Sequence, residues 1–237
     1  MTDTRDATAV DLAEVFGELA IDLEDAAGVE PTVGTVLEFA VAAFKCTDAG
    51  IVLVGPGGRK NLRVAEVTNP VVAELNQLQI DAGSGPLIEA AEGSEPVLVD
   101  DTRAESRWPG WAERAAGRGI GTVLHHPMLT KTRTIGVLSF YSADPGAFTA
   151  YDEALAQILC QHATVAVAYA RNEETLAEAL EARAVVGQAI GILMERHNLT
   201  ERGAFSVLRR YSQDYNVKLR SIADQLISSR SLPPPAK

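Results

Sequence analysis

The side chains best placed to do chemistry in this sequence are polar and basic, and they lie in its last quarter. Four of them recur at helical spacing and so share one side of a predicted helix, away from its apolar side: Arg202, Ser206, Arg209 and Gln213. Three further cations lie close by in sequence: Arg210, Lys218 and Arg220. A helical surface rich in Arg and Lys is the electrostatic footprint of a protein that binds a nucleic-acid backbone, although charges on a solvated helix face are also common.

Two glycines lie on the predicted helix that comes directly before this basic region. Gly187 and Gly191 are four residues apart, so they stack on one helix face. Each costs roughly 1 kcal/mol in a helix interior relative to alanine. We therefore expect a ligand or another backbone to approach this face closely, with ordinary helix–helix packing as the alternative.

Catalytic spacings are absent from the sequence. Gly83-Ser84-Gly85 lacks the G-x-S-x-G pattern of a nucleophile elbow, and the segment 55–60 lacks the Walker spacing and predicts a hairpin turn. His125 and His126 are adjacent on a predicted strand, so they point to opposite faces and cannot chelate one metal together. One is expected to face the core or a pocket and the other to face solvent. We expect no enzymatic activity, no cofactor and no metal site.

The charge of the chain is distributed unevenly. The net charge is −11, which taken alone argues against a nucleic-acid partner. Residues 183–237, however, hold nine Lys/Arg and four Asp/Glu, a net of +5, whereas residues 1–182 hold twelve and twenty-eight, a net of −16. The sequence therefore predicts an acidic body with a basic C-terminal quarter.

Composition also predicts the class and location of the protein. The 237 residues suit two modules, and no uncharged apolar run approaches the ~18 residues of a membrane span. The polar, acidic N-terminal residues show no signal-peptide pattern. Two distant cysteines, Cys46 and Cys160, fit a reducing compartment. We expect a cytoplasmic protein.

Helices and strands alternate through the first two thirds of the chain. Apolar spacing predicts helices over 11–26, 32–44, 70–79 and 86–91, a loop leading into a helix over 107–118, and strands over 49–54, 62–67, 96–99, 122–129 and 134–141. The last two strands flank a polar turn and so predict an antiparallel hairpin. Strands and helices around one antiparallel sheet make an α+β domain.

A long helix is predicted from Thr149 to about His197. A heptad register runs through 155, 159, 162, 166, 169, 173, 176, 180, 183, 187, 190 and 194, although three of its members are charged or potentially charged. A second register through 158, 165, 169, 176, 186, 190 and 193 is nearly as good. A seam this long indicates pairing with a second copy of the chain around residues 155–194; the alternative is a helix whose first half lies on its own domain.

Two shorter helices follow the long one. Thr200 is a good N-cap for the first of them. Its inner face is expected to carry four residues: Ala204, Leu208, Tyr211 and Tyr215. Asn216 is the candidate cap of the last helix.

Three sequence blocks stand out in this region: RAVVGQAIGILMER at 183–196, AFSVLR at 204–209 and NVKLRSIA at 216–223. In order and spacing they resemble the ANTAR domain, a three-helix module that binds RNA in transcription antiterminators. Within them, matches that suit packing are Ala189, Ala204, Phe205, Leu208 and Ala223. The matches and the nearby cations expected to contact RNA are Gly191, Met194, Arg196, Arg202, Arg209, Arg210, Asn216, Lys218 and Arg220.

A series of short motifs runs through the body of the chain, roughly residues 30–170: Asp48-Ala49-Gly50, Gly83-Ser84-Gly85-Pro86, Asp100-Asp101, Arg107-Trp108-Pro109, Gly119-Ile120-Gly121, Pro127-Met128, Ile135-Gly136-Val137-Leu138 and Phe148-Thr149. In this order they resemble a GAF domain of the kind that precedes ANTAR in actinobacterial regulators. Related proteins often have Gly-Pro-Cys where this chain has Gly85-Pro86-Leu87, which argues against thiol-based sensing here.

The two resemblances imply an architecture. It is an α+β GAF domain, an antiparallel sheet flanked by helices, followed by a long helix and an all-α three-helix ANTAR domain. We expect N-terminal helices and the GAF sensor over residues 1–170, and the linker helix and ANTAR domain over 171–237. Trp108, Trp111 and His125 either line a small-molecule pocket of the GAF domain or fill its core.

The resemblances also imply a function. The GAF domain senses a ligand, or only dimerises, and the long helix transmits its state to paired ANTAR modules. Each module binds an RNA stem-loop and so prevents a terminator from forming. Two alternatives stay open: a DNA-binding regulator, and a ligand sensor whose C-terminal helices bind a protein partner.

Overall fold

The computed structural model describes residues 3–44, 46–55, 58 and 61–231. Its helices are α1 (Asp3–Asp25), α2 (Val29–Ala43), α3 (Pro70–Ala82), α4 (Pro86–Glu92), α5 (Pro109–Gly117), α6 (Ala150–His197), α7 (Glu201–Tyr215) and α8 (Leu219–Ser229). Its strands are β1 (Asp48–Val54), β2 (Leu62–Val67), β3 (Val97–Val99), β4 (Thr122–Leu129) and β5 (Thr134–Ser142). Contacts divide the chain into two compact units, Met1–Arg171 and Asn172–Lys237. The boundary expected from the sequence lies one residue earlier.

The first unit is built on one antiparallel sheet of order β2-β1-β5-β4-β3. β4 and β5 form the predicted hairpin, with Thr122 opposite Ser142 and Leu129 opposite Thr134. β1 and β2 also pair, although most of the turn expected over 55–60 lies outside the described residues. The predicted α+β fold with a helix-flanked antiparallel sheet is confirmed.

One face of the sheet is covered by α1, α2 and the first part of α6. Their apolar side chains join those of β1, β4 and β5 in one buried cluster. Phe16 of α1 ties the three helices together, because its ring centroid lies 5.2 Å from that of Phe39 and 5.5 Å from that of His162. The first part of α6 therefore lies on its own domain.

The opposite face is covered by α3, α4 and α5, with their own buried clusters. Gly50 lets α3 lie close to β1, since a Cβ at this position would stand 2.9 Å from Cγ1 of Val72. Because helices cover both faces, β4 and β5 are buried along almost their whole length. This corrects the expectation for the adjacent histidines: His125 and His126 point to opposite faces, but both are buried.

The second unit packs the C-terminal part of α6 against α7 and α8. Their shared core is Ala189, Leu193, Ala204, Leu208, Ile222, Ala223 and Leu226. Thr200 caps α7 as predicted, because its Oγ1 accepts a hydrogen bond from the N–H of Gly203 at 3.2 Å. The predicted all-α three-helix arrangement is confirmed.

The prediction that Asn216 caps the start of the last helix is wrong. Asn216 ends α7 in the left-handed conformation (φ 51°, ψ 42°) and does not begin α8, whose N-cap is Lys218. Asparagine tolerates left-handed backbone better than other residues with a Cβ, so it stops a helix as readily as it starts one.

Candidate nucleic-acid interface and ligand cleft

The basic side of α7 is the centre of the candidate nucleic-acid interface. Arg202 and Arg209 are exposed, as is Arg210, whereas Ala204 and Leu208 on the opposite side of the helix are buried in the core. The core contacts fix the rotation of α7, and this rotation presents the guanidinium groups to solvent. Arg202 and Arg209 lie two turns apart on one face, so both guanidinium groups can contact phosphates along one nucleic-acid backbone.

The turn between α7 and α8 adds two more of the predicted contacts. Asn216 and Lys218 are both exposed there. The turn is held by the hydroxyl of Ser212, which donates a hydrogen bond to the carbonyl of Val217 at 2.6 Å, and by the N–H of Val217, which donates to the carbonyl of Ser212 at 3.1 Å. The amide and ammonium groups are therefore presented from a fixed turn.

Three other predicted contacts are engaged within the chain. Arg196 Nη1 donates to the carbonyl of Arg230 at 2.6 Å, just beyond α8. Arg220 lies 3.0 Å from a carboxylate oxygen of Glu181 and 3.7 Å from one of Asp224. Met194 is half-buried and packs on the core. The structure therefore does not present these side chains as freely as those on α7.

Gly191, the remaining predicted contact, is exposed on α6, as is Gly187. A Cβ at either position would meet nothing within 4 Å among the described residues. Packing within the described part of this chain therefore does not explain the two glycines.

A pair of tyrosines, for which the apolar spacing of α7 predicts only a packing role, also lies near the exposed arginines in sequence. The rings of Tyr211 and Tyr215 are parallel to within 4°, with centroids 6.2 Å apart, and both side chains are half-buried. Arg210 Cζ lies 5.9 Å from the Tyr211 ring. Aromatic faces beside cations are the groups on which unpaired bases stack. The i, i+4 spacing of two tyrosines at the end of a basic helix is the signal that could have identified them.

The first unit contains a separate cleft between α3 and α5. Its volume is about 350 Å³, and Trp108 and Trp111 both line it, as does Gln79. Trp108 is half-buried at the N-cap of α5, and Arg107 stacks on its ring with Cζ 4.3 Å from the centroid. The structure therefore brings two of the three predicted pocket residues together. His125 does not line this cleft; it is fully buried on the same side of the sheet.

Beside His125 lies a buried polar network that sequence reasoning missed. Tyr141 donates its hydroxyl hydrogen bond to Oδ1 of Asn76 at 2.7 Å, and His125 Nδ1 lies 2.7 Å from the Ser139 hydroxyl. The rings of His125 and Tyr141 meet edge to face at 5.8 Å. Burial lowers the pKa of His125 to about 3 and raises the pKa of Tyr141 above its usual value, so both stay neutral at physiological pH.

The loop from α3 to α4 is held by Gln79, also on this side of the sheet. The Gln79 amide nitrogen donates to the carbonyl of Leu75 at 3.2 Å, and its amide oxygen accepts from the N–H of Leu87 at 2.8 Å. The fully buried side chain thus uses both ends of its amide within the fold. The Gly83-Ser84-Gly85-Pro86 motif is explained by this bond, because Gly85 leaves room for the Gln79 side chain.

The described residues offer binding chemistry at these two sites. No group of three or more His, Cys, Asp or Glu side chains among residues 3–44, 46–55, 58 and 61–231 could hold a metal ion. Burial raises the pKa of Cys46 to about 11 and that of Cys160 to about 12, so neither thiol ionises readily. In the same described part of the chain, none of the helices combines the length and apolar character needed to cross a membrane.

Comparison with known proteins connects these features to families. The GAF domain matches residues 26–168, and the ANTAR domain matches residues 174–227. A search of the curated proteins found no significant match.

Solved structures share the fold of the first unit. The GAF domain of a phosphoenolpyruvate-protein phosphotransferase from Coxiella burnetii is 16% identical, with a TM-score of 0.56 over 70% of this chain and 98% of that one. Free methionine-R-sulfoxide reductase from Neisseria meningitidis, in complex with its substrate, is 18% identical, with a TM-score of 0.56 over 70% of this chain and 93% of that one.

A transcription factor is also among the similar structures. It is the N-acylhomoserine lactone dependent LuxR family protein CepR2 from Burkholderia cenocepacia, which is 16% identical, with a TM-score of 0.51 over 65% of this chain and 92% of that one. At these identities the likeness concerns the fold alone. The two family matches cover both compact units: the chain belongs to the GAF domain family and carries an ANTAR domain after its GAF domain.

Proposed function

We propose that the chain is a transcription antitermination regulator whose ANTAR domain binds RNA stem-loops. The observation that carries the proposal is the exposed basic face of α7, with Arg202 and Arg209, inside the segment that matches the ANTAR domain. Lys218 and Asn216 extend this surface at the following turn. Cations position the RNA backbone, and polar and aromatic groups read the splayed bases of a loop.

Binding of matched RNA hairpins and duplex DNA to the full chain tests this proposal. We expect tighter binding of RNA, and we expect Arg209→Ala to weaken it and to reduce the slope of log affinity against log salt by roughly one. Arg63→Ala is the matched control, because it also removes an exposed arginine, from β2 of the first unit.

The results also separate the two alternatives. A preference for duplex DNA would replace the proposal with a DNA-binding regulator. Equal RNA affinity of the native chain and of both Arg209→Ala and Lys218→Ala would favour a sensor whose C-terminal helices bind a protein.

We further propose that the chain forms a homodimer through α6, around residues 155–194. Leu155 and Leu159 are buried within the chain, but large apolar side chains remain exposed along α6: Ile158, Val165, Tyr169, Leu176 and Leu180. Their spacing of four and seven residues forms one stripe of the kind that pairs in coiled coils. A dimer presents two RNA-binding modules together, which raises the effective concentration of the second contact.

Sedimentation of the full chain tests the dimer. We expect a dimer at micromolar concentration and a monomer for the double variant Leu176→Glu, Leu180→Glu, while Glu178→Gln on another side of α6 stays dimeric. Both leucines are about 60% exposed, so their replacement should leave the fold intact. A monomeric native chain would contradict the proposal.

The third part of the proposal is that the GAF domain senses a small molecule in the cleft lined by Trp108 and Trp111. We infer a regulator and not an enzyme, because GAF and ANTAR domains are sensor and regulatory modules and because neither buried thiol is a ready nucleophile. The cytoplasmic location expected from the sequence stays a prediction.

A further inference from the structure

A second cleft lies on the other face of the sheet, where the first part of α6 passes the edge formed by β3 and β4. Its volume is about 530 Å³, which is within the range of ligand pockets. Residues of the segment before β3, of β4 and of α6 line it. It shares no lining residue with the cleft of Trp108 and Trp111 and is therefore a separate candidate site.

Two carboxylates that line this second cleft carry negative charge that the described residues do not balance. Glu95 is exposed in the segment before β3, and Glu153 is half-buried in the first turn of α6. Neither takes part in an ion pair in the described part of the chain. The described residues that line the cleft include no Lys or Arg. The cleft therefore attracts cations.

His126 adds a hydrogen-bond acceptor to the same cleft. The side chain lines the cleft and is only 9% exposed. Its Nδ1 lies 3.3 Å from the carbonyl oxygen of Pro127, which can only accept, so Nδ1 carries the hydrogen and Nε2 keeps a lone pair. Nε2 has no partner among the described residues and, unlike the enclosed Nε2 of His125, it retains accessible surface. An acceptor in this state requires a donor from a ligand or from water.

The other titratable groups of the cleft leave its negative charge intact. Burial lowers the pKa of His126 and outweighs the Pro127 carbonyl and the Glu95 carboxylate, which both raise it, so the imidazole is neutral and does not repel a cation. Cys160 donates its Sγ hydrogen to the carbonyl of Pro127 at 3.4 Å, and burial raises its pKa to about 12.

The chemistry of these groups separates an organic cation from a metal ion. No set of three or more His, Cys, Asp or Glu side chains in the described part of the chain could hold a metal. An organic cation needs no such shell, because its N–H groups donate to carboxylates one or two at a time. Pro96 and Pro127 add apolar surface beside the acceptors.

We propose that this cleft binds a small organic cation with N–H donors, such as an amidinium, guanidinium or primary ammonium group. The N–H groups donate to Glu95, to Glu153 and to Nε2 of His126, and the body of the molecule lies against the prolines. This site goes beyond the function proposed above and does not depend on it.

Three probes of similar size test the class on the full chain: benzamidine is a cation with N–H donors, benzamide is its neutral analogue, and phenyltrimethylammonium is a cation without such donors. Calorimetry measures their affinities, and the ring NMR signals of the four histidines locate the site. We expect benzamidine to bind at least about fivefold more tightly than either analogue, because only benzamidine combines charge with donors. It should shift the His126 signal, which is assigned by its loss in His126→Phe.

Variants assign the preference to the named groups. Glu95→Gln and Glu153→Gln remove one charge each and should each weaken benzamidine binding about two- to fivefold, with little effect on benzamide. His126→Phe keeps a flat ring without the acceptor and should also weaken benzamidine. Glu113→Gln is the matched control, because it removes an exposed carboxylate of α5 that does not line this cleft. Thermal unfolding of each variant verifies its fold.

Each contrary result would overturn a defined part of the proposal. Equal binding of benzamide and benzamidine would reject a cation as the ligand, and equal binding of phenyltrimethylammonium would reject the need for N–H donors. Unchanged benzamidine affinity in both glutamate variants would reject the location. If benzamidine did not bind at up to about 10 mM, where even ligands this small are detectable in a fitting site, the site itself would be rejected.

Discussion

His125 is a single residue whose burial makes stability depend on pH. Its pKa in the folded chain is about 3, against an ordinary value of 6.5, because the buried ring is poorly solvated when charged. Between these values the unfolded chain binds the extra proton and the folded chain does not. The folded chain therefore keeps its full stability, as far as His125 affects it, above about pH 6.5. The free energy of unfolding falls as the pH drops below this value towards the folded pKa.

Urea unfolding between pH 7 and pH 4 measures this dependence. We expect His125 to contribute a loss of up to about 1.4 kcal/mol in the free energy of unfolding per pH unit. His125→Gln should flatten the dependence, whereas His197→Gln, at an exposed histidine in the last turn of α6, should leave it unchanged. Equal slopes for both variants would contradict the assignment.

Tyr215 allows the proposed RNA-binding surface to be tested at a single residue. Stacking of one base on an aromatic ring contributes about 1–3 kcal/mol, so Tyr215→Leu should weaken hairpin binding about fivefold or more. Tyr215→Phe keeps the ring and should bind as the native chain does. Tyr151→Leu, at an exposed tyrosine of the first unit, is the control for nonspecific effects. The same loss in the Phe and Leu variants would point to the hydroxyl and not to stacking.

For single residues, the sequence predicts whether a side chain is exposed better than it predicts which residue the side chain contacts. The exposed state of Arg202 and Arg209 follows from the apolar spacing on the other side of α7. The ion pair of Arg220 with Glu181 could not be foreseen, because it joins residues 39 positions apart on different helices. Asn76 and Tyr141, 65 positions apart, escape pattern reasoning for the same reason.

The α3–α4 connection is an element whose shape depends on one glycine. Gly85 has φ 144°, and a Cβ there would overlap the side chain of Gln79, which holds the first turn of α4 through Leu87 N. Gly83, in the same loop, has φ 61° with nothing within 4 Å of an added Cβ.

We expect these two glycines to respond differently to alanine. Gly83→Ala should cost only the backbone strain, about 1–2 kcal/mol. Gly85→Ala should cost about 1–3 kcal/mol more, since the buried Gln79 bond must break or shift and since its backbone, with φ 144° and ψ 169°, lies in a region that essentially only glycine occupies. Urea unfolding followed by tryptophan fluorescence measures both, and equal losses would show that Gln79 gives way at no cost.

The sequence predicts helices and strands well where the apolar residues follow one clear pattern, but it predicts the residues where these elements end less well. The structure confirms β4 and β5, which are predictable because continuous apolar runs flank a polar turn. α3 extends to Ala82, beyond the predicted Gln79, and ends at Gly83, which adopts the left-handed conformation. Inside this helix Asn76 and Gln79 are polar yet buried, because they bond to Tyr141 and to the N–H of Leu87, contacts that an apolar pattern cannot show. The two heptad registers of α6 have different outcomes in the structure: Leu155 and Leu159 pack on the GAF core, and the exposed stripe follows mainly the other register.

At the scale of the whole molecule, charge opposes the proposed partner. Residues 1–182 carry a net −16 and residues 183–237 a net +5. Acidic residues of α1 such as Glu18, Asp22 and Glu24 are exposed, so their field extends into solvent. A polyanion is repelled by this excess wherever its approach is not compensated by specific contacts. We therefore expect the acidic body to favour selective binding of the proposed RNA partner over tight nonspecific binding.

The triple variant Glu18→Gln, Asp22→Asn, Glu24→Gln tests this effect in the full chain. We expect its affinity for an unrelated polymer such as poly(U) to rise at low salt, and the difference to vanish near 1 M salt, where the Debye length is about 3 Å. Affinity for a specific hairpin should rise less, because the variant leaves the proposed short-range contacts with α7 unchanged. Lys131→Gln, at an exposed cation of the first unit, should act in the opposite direction. Unaltered poly(U) binding by the triple variant at low salt would mean that RNA meets only the local field of the basic quarter.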